Sequence, residues 1–345
     1  MDFIFDGQVV GTVAQRLAAA NFSANALRPF LGEKGGAFIN NHDNSGVIPT
    51  TNALLRKDEW LQLDKTVIDI ARNRLGAVSD LVSRGLVYNI PNGLGTTVLQ
   101  WEDVSDMTSA EIDMDGVTRG KNSRLNFELR SLPLPITHKE FQINIRTLTA
   151  SRNMGQPLDT MQAAVCSRKI SESNEQALFT GISGLTFAGG SVYGYLNAPN
   201  RNQVSLAKSW SASGTTGSEI LADVLAMKQA SLNSKRYGPW VLYIPTGYEV
   251  ILDDDFKTNS DKSVKTRILE VSGIQSIKVS DYLTADNVVL VEMSPDVVRM
   301  VIGMNPTVVD WGEQGGMINH FKVMSIMVPQ VRYDQNGSSG ITHLA

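Results

Sequence analysis

The sequence predicts an α+β chain that cannot complete its own core as a single copy. Three observations predict this class. The first 85 residues carry two apolar helical patches separated by a Gly/Asn-rich run, with nothing local to pack against. Residues 107–130 read as a hairpin with an apolar stripe on one side only. From residue 157 onward a long helix is followed by alternating short helices and strands, the pattern of a compact α/β or α+β unit.

Composition narrows the function. At 345 residues and about 150 residues per domain, the chain has room for two or three structural units. Lys and Arg number 31 against 35 Asp and Glu, a formal charge of −4 that lacks the basic excess a nucleic-acid binder uses to neutralise phosphates. With 42% hydrophobic and 19% charged residues, general disorder is excluded. The single cysteine, Cys166, excludes an internal disulfide framework and a Cys-clustered zinc site. The four histidines, at 42, 138, 320 and 343, form no close pair, which weakens metal-hydrolase readings. Met1-Asp2-Phe3-Ile4-Phe5-Asp6 is acidic where a signal peptide is basic, and no run of 18 apolar residues lacks a charge. Synthesis and assembly in a reducing cytoplasm, away from membranes, is the expectation.

Within 1–85, Val9, Val10, Val13 and Leu17 recur near helical spacing, and Leu54 to Leu75 forms a second helical patch through Leu61, Val67, Ile68 and Ile70. Pro29, Gly32, Gly35, Gly36 and Asn40 to Gly46 separate them as an extended loop. Such a segment is an arm. In the hairpin, Ile112 and Met114 alternate with acids on the outgoing strand, and Leu125, Phe127 and Leu129 share one face of the return strand. Gly116 to Asn122 forms the turn, and Arg119, Lys121 and Arg124 make the tip and return strand basic against the acidic outgoing strand. A lone two-stranded ribbon is marginal in water, so its stripe needs a neighbouring subunit.

Phe141 to Ile145 alternates as a strand. Pro157 opens a helix of about 22 residues, roughly 33 Å long, which Gly181 ends. Its apolar side (Ala163, Cys166, Ile170, Ala177) is modest, leaving one face to solvent. Gly181 to Gly217 reads as loop. Thr216 and Glu219 make a capping box for a helix that buries Ile220, Leu221, Val224, Leu225 and Leu232. Trp240 to Ile244 reads as a buried strand. Short helices at Tyr248 to Leu252 and Val264 to Val271 follow, then strands Ile274 to Val279, Val288 to Glu292, Val297 to Ile302 and Phe321 to Tyr333.

No constellation assembles a nucleophile, a base and an oxyanion stabiliser. Gly116 to Asn122 lacks the spacing and the Ser/Thr of a phosphate loop. Asp253-Asp254-Asp255 reads as a solvated loop, Cys166 as a buried structural thiol and His320 as a packing residue. Lys121, the sole lysine between 107 and 130, reads as an ordinary ion-pairing group. No catalytic residue, cofactor or metal is expected.

Two stretches carry a resemblance. Leu129-Arg130-Ser131-Leu132-Pro133-Leu134, followed by Phe141 to Arg146, resembles the Arg-x-Leu-Pro-Leu segment of encapsulin-like shell proteins. Tyr237-Gly238-Pro239-Trp240-Val241-Leu242-Tyr243-Ile244-Pro245-Thr246 is similar to their Gly-Pro-aromatic strand, and Phe321 to Tyr333 after Val301-Ile302-Gly303 corresponds to their closing strand. Encapsulins share the Hong-Kong-97-type fold of tailed-phage major capsid proteins.

The resemblance implies an α+β fold made of an N-terminal arm (1–85), an E-loop hairpin (107–130), a peripheral domain (86–106, 131–205 with spine helix 157–180, and 321–345) and an axial domain (206–320). It implies intersubunit contacts through Ile112, Met114, Arg119, Lys121, Arg124, Leu125, Phe127 and Leu129. The long arm favours a phage major capsid protein enclosing double-stranded DNA without sequence-specific binding. An encapsulin shell enclosing enzyme cargo is the alternative, and a soluble α/β enzyme the remote one. The implied partners are the chain itself, as hexamers and pentamers, with a portal and with scaffolding or decoration proteins. The implied location is the virion, assembled in the host cytoplasm.

Overall fold

The computed structural model describes residues 76–104, 112, 114, 124–125, 127–144, 146, 161–257, 262–312, 318–334 and 338–345. The two helical patches expected within 1–75 and the hairpin turn at 116–122 lie outside the described residues. The chain divides into two compact units. The smaller contains 136–171 and 305–325, together with 1–74; the larger contains 75–135, 172–304 and 326–345.

In the larger unit, five strands form one mixed sheet: β7 (Asn202–Val204), β8 (Trp240–Pro245), β9 (Ile274–Ser280), β10 (Val288–Glu292) and β13 (Ile341–Leu344), in the order β7-β13-β10-β8-β9. β8 runs antiparallel to β10 and parallel to β9. Its six residues are all buried because each face of the sheet has its own core. Val241 and Tyr243 join Val289 and Val291 on one side, while Trp240, Leu242 and Ile244 join Val288 and Leu290 on the other. A strand covered on both faces reads as a continuous apolar run, which is why it is legible in the sequence.

The second of these cores is closed by α3 (Gly217–Asn233), which contributes Ile220, Val224 and Met227. The expected capping box is present: the Thr216 hydroxyl accepts from Glu219 N, and Glu219 Oε2 accepts from Thr216 N at 2.8 Å. The short helices α4 (Glu249–Asp253), after a 3-10 turn at Thr246–Tyr248, and α5 (Val264–Leu269) add Leu252, Val264 and Ile268. The first core is closed by α1 (Gly76–Ser83) through Ala77, Val78 and Leu81. It holds a three-ring cluster of Phe179, Tyr195 and Tyr243, with centroids 5.4 to 5.8 Å apart.

The spine helix is α2 (Met161–Thr180). Gly181 ends it at φ 69, with its N–H bonded to the Ala177 carbonyl at 2.9 Å. Its exposed side (Gln162, Val165, Lys169, Ser173, Gln176) matches the one-faced reading. In the smaller unit, β4 (Thr137–Asn144) pairs antiparallel with β12 (Ile318–Val331) from Asn144↔Ile318 to Thr137↔Ser325. Phe141 stacks on Phe321 at 5.1 Å, and Ala163, Cys166 and Ile170 pack beside them.

Gly181 to Gly217 is not plain loop. It contains β5 (Ile182–Phe187), β6 (Gly190–Val192) and β7. These strands are short, and β5 and β7 are half-exposed, so they lack the apolar alternation that marks a strand in sequence. β1 (Val87–Asn89), parallel to β11 (Val298–Gly312), and β13 were likewise too short to read, and β11 and β12 run longer than expected.

The β5–β6 hairpin turns through Ala188 and Gly189, at φ 50 and 74, a two-residue loop with both centres left-handed. Ala188 is exposed, and its φ of 50 is costly for a residue with a Cβ. Ala188→Asn should raise the unfolding free energy by about 0.5–1 kcal/mol, because Asn adopts φ > 0 at lower cost without glycine's entropy. Urea unfolding of the subunit checks this; a lowered midpoint would contradict it.

Candidate intersubunit surface

The hairpin exists, but its paired strands are not those the alternation suggested. β2 (Val98–Val104) pairs antiparallel with β3 (Phe127–Pro133), from Val98↔Pro133 to Val104↔Phe127. Among the described residues the strand that pairs with β3 is 98–104. Ile112 and Met114 stand outside any strand and are fully exposed. Arg124 and Leu125 are exposed just before β3. Arg119 and Lys121 lie outside the described residues.

The base of the ribbon belongs to the body. Leu132 and Leu134 are buried with Val192, Val301, Ile326 and Val328, and Leu99 and Trp101 pack against that cluster. Gly190 comes so close to the ribbon that a Cβ there would sit 2.2 Å from the Ser131 carbonyl oxygen. The outer end is different. Phe127 and Leu129 remain 63% and 60% exposed, and Val104, directly across from Phe127, is 44% exposed. Since alternate residues share a face, Val104, Phe127 and Leu129 form one apolar patch, with Glu102 opposite Leu129 at its edge.

Leu125, Phe127 and Leu129 were legible as a stripe; Val104 was not. Its strand, Val-Leu-Gln-Trp-Glu-Asp-Val, does not alternate cleanly, and only pairing with β3 brings Val104 to Phe127. Arg130 stood out in the sequence only as part of the Arg-x-Leu-Pro-Leu resemblance. It sits on the other face, its Nε 2.9 Å from Asp103 Oδ2 and a terminal nitrogen 3.2 Å from Glu128 Oε2.

A second polar feature fixes the loop that follows β7. Asp286 accepts from the Ser209 hydroxyl at 2.5 Å and from the Tyr248 hydroxyl, while Trp210 stacks on Tyr248 at 5.1 Å. The Ser209 and then the Tyr248 hydrogen bond hold the Asp286 carboxyl below its ordinary range. These groups staple a loop.

Deep in the larger unit, Glu175 of α2 accepts from Ala77 N at 2.6 Å and Val78 N at 3.1 Å, one bond to each carboxylate oxygen. It thereby caps the N-terminus of α1, where residues 1–75 join. Burial pushes its pKa up, and the two backbone bonds only partly oppose this.

The remaining sequence candidates resolve simply. Cys166 is buried, its thiol 3.7 Å from the Glu140 carbonyl, and burial raises its pKa. Asp253 pairs with Lys265 at 3.6 Å, and Asp255 bridges to Ser263. Among the described residues no group of three His, Cys, Asp or Glu is placed to hold a metal, and no helix is long and apolar enough to cross a membrane.

Residues 50–344 match the model of a family described as Family of unknown function (DUF6260). The chain is 22% identical over 289 residues to the type 1 encapsulin shell protein EncA of Myxococcus xanthus, covering 81% of this chain and 91% of that protein. The virus-like particle of Pyrococcus furiosus superposes with a TM-score of 0.59 at 18% identity, covering 83% of this chain and 99% of its own. The capsid of Myoviridae phage XM1 superposes with a TM-score of 0.57 at 12% identity, covering 78% and 92%. The capsid of a native GTA particle gives 0.55 at 12% identity, covering 88% and 96%. The fold is the Hong-Kong-97-type capsid fold, as the sequence resemblance implied.

Proposed function

We propose, for a chain that belongs to the DUF6260 family of unknown function, that it is the major capsid protein of a tailed phage, assembling as hexamers and pentamers into an icosahedral shell around double-stranded DNA. The observation that carries this reading is the ribbon: on a fold otherwise found in particles, it exposes an apolar patch that its own chain leaves uncovered. Under this reading the β2–β3 ribbon with the intervening residues is the E-loop, laid over an adjacent subunit. The contacts are Val104, Ile112, Met114, Leu125, Phe127 and Leu129, with Arg119, Lys121 and Arg124 pairing with acidic groups at the rim. The residues before α1 are the arm, the five-stranded sheet with α3 to α5 is the axial domain, and α2 with β4, β11 and β12 belongs to the peripheral domain. The role is structural, with no catalytic residue or cofactor. A portal, with scaffolding or decoration proteins, completes the partner set, and the virion is the final location. A formal charge of −4 suits a genome container, since a strongly basic lining would hold DNA by counterion release.

A second reading, an encapsulin nanocompartment with enzyme cargo, is favoured by the Myxococcus xanthus likeness over 91% of that protein. The arm of about 85 residues favours the phage reading.

Negative-stain microscopy of the purified protein, followed by nuclease treatment and analysis of particle contents, separates the readings. Particles that protect double-stranded DNA are the expected result. Particles that hold a co-purifying enzyme and no DNA would transfer the chain to the nanocompartment reading. A small monodisperse species would remove the shell reading altogether.

A further inference from the structure

We propose that Arg130 clamps the ribbon to the body at a fixed angle, and that this clamp sets the curvature of the shell; the second half rests on the shell reading above. Both strands of the ribbon supply a carboxylate to the same guanidinium. Asp103 lies diagonally across from Arg130, in the ladder that pairs Trp101 with Arg130, and Glu128 is two residues away on the same strand. The other contact leaves the ribbon: the guanidinium carbon lies 4.1 Å from the ring centroid of Tyr333, just past the end of β12. Tyr333 is itself tied down by a bridge to Ser339. Arg130 and Asp103 each have a side chain only 16% exposed, so the ion pair is partly shielded from solvent.

The surroundings leave room for movement. A groove of about 400 Å³ runs between the ribbon face bearing Trp101 and Arg130 and the segment Pro329 to Tyr333, with Gly189 to Ser191 along its side. The ribbon base is fixed by Leu132 and Leu134, but its outer half is not packed on a core. Arg130 spans the groove at the point where the packed base gives way to the exposed end. A planar guanidinium can stack on a ring and still engage two carboxylates; an ammonium cannot do both in the same way. A small change of angle at this point moves the Val104–Phe127–Leu129 patch by a larger distance, and with it the neighbour that receives the patch.

Arg130 is thus a positioning residue, and two measurements test it. In Arg130→Lys, Tyr333→Leu and Tyr333→Phe proteins, spin labels at Glu102→Cys on the ribbon and Gln176→Cys on α2 report the ribbon angle in the unassembled subunit. Cys166, being buried, does not compete for label. The distance distribution should widen about twofold in Arg130→Lys and Tyr333→Leu and stay as in the parent in Tyr333→Phe, which keeps the ring. Subunit melting should move by no more than about 2 °C in all three. Electron microscopy of particles should show a broadened range of diameters in the first two variants only. An unchanged distance distribution in Arg130→Lys, or equal damage by Tyr333→Phe and Tyr333→Leu, overturns the clamp. A widened distribution with parental diameters overturns its role in curvature. Absence of particles from the parent chain, with the distance result intact, is failure of the shell reading and not of the clamp.

Discussion

Phe127→Asp abolishes particle formation while leaving a folded, soluble subunit: that is the expected result of placing a charge in the ribbon patch. The subunit should not register the change, because Phe127 is 63% exposed and belongs to none of the buried clusters. Assembly should register it strongly. Fully burying an aromatic side chain contributes roughly 1.5–3 kcal/mol, and forcing an unpaired carboxylate into the same contact adds a penalty of several kcal/mol. Every copy in a shell bears that change, so it is repeated at each contact. Val104→Asp should have the same effect, since Val104 sits directly across the ladder from Phe127. Phe127→Leu, which keeps apolar area, should assemble with reduced stability. Sedimentation separates subunits from particles, and circular dichroism verifies the fold. Particles of parental stability from Phe127→Asp would show that the patch is not an intersubunit contact. A subunit that fails to fold would show that Phe127 belongs to a core.

What the sequence made legible follows from the range of the interactions involved. The Thr216–Glu219 capping box spans one helical turn, and Trp240–Pro245 is apolar on both faces, so each declares itself locally. The stripe through Phe127 and Leu129 is also local, being a period-2 pattern in one strand. The partner strand was misassigned because 111–115 alternates more cleanly than 98–104, and ladder register depends on pairing that alternation in one strand does not encode. β5 and β6 were read as loop because Ile182, Leu185 and Val192, which pack on a core, are spaced among Gly and Ser without period-2 alternation. Arg130 was visible only within the Arg-x-Leu-Pro-Leu resemblance, because its contact with Tyr333 lies far along the chain. Glu175, in the middle of a helix with modest apolar character, reads as a solvated residue. Only the tertiary fold brings α1 to it.

That buried carboxylate supports the second large effect. Glu175 is 6% exposed and satisfies two of the four N–H groups that a helix N-terminus leaves open, those of Ala77 and Val78. Glu175→Ala leaves both donors buried without an acceptor and opens a small void, at a cost of about 2–4 kcal/mol. Glu175→Gln keeps one acceptor oxygen and removes the buried charge, so it should cost clearly less than Glu175→Ala. The pH dependence has a definite sign. Burial raises the folded-state pKa above the ordinary 4.5, so the folded subunit takes up the proton more readily than the unfolded chain. Stability from this group is therefore lower above the raised folded pKa, increases as pH falls through it, and is fully regained below the unfolded value. Neither variant has this dependence, so the stability gap between parent and Glu175→Ala should widen on acidification across that window. Urea unfolding of unassembled subunits at several pH values measures the gap, and amide hydrogen exchange at Ala77 and Val78 localises it to the start of α1. Faster exchange at those two amides in Glu175→Ala is the expected local signature. If exchange there is unchanged, or if the gap narrows as pH falls, Glu175 is not the cap of α1.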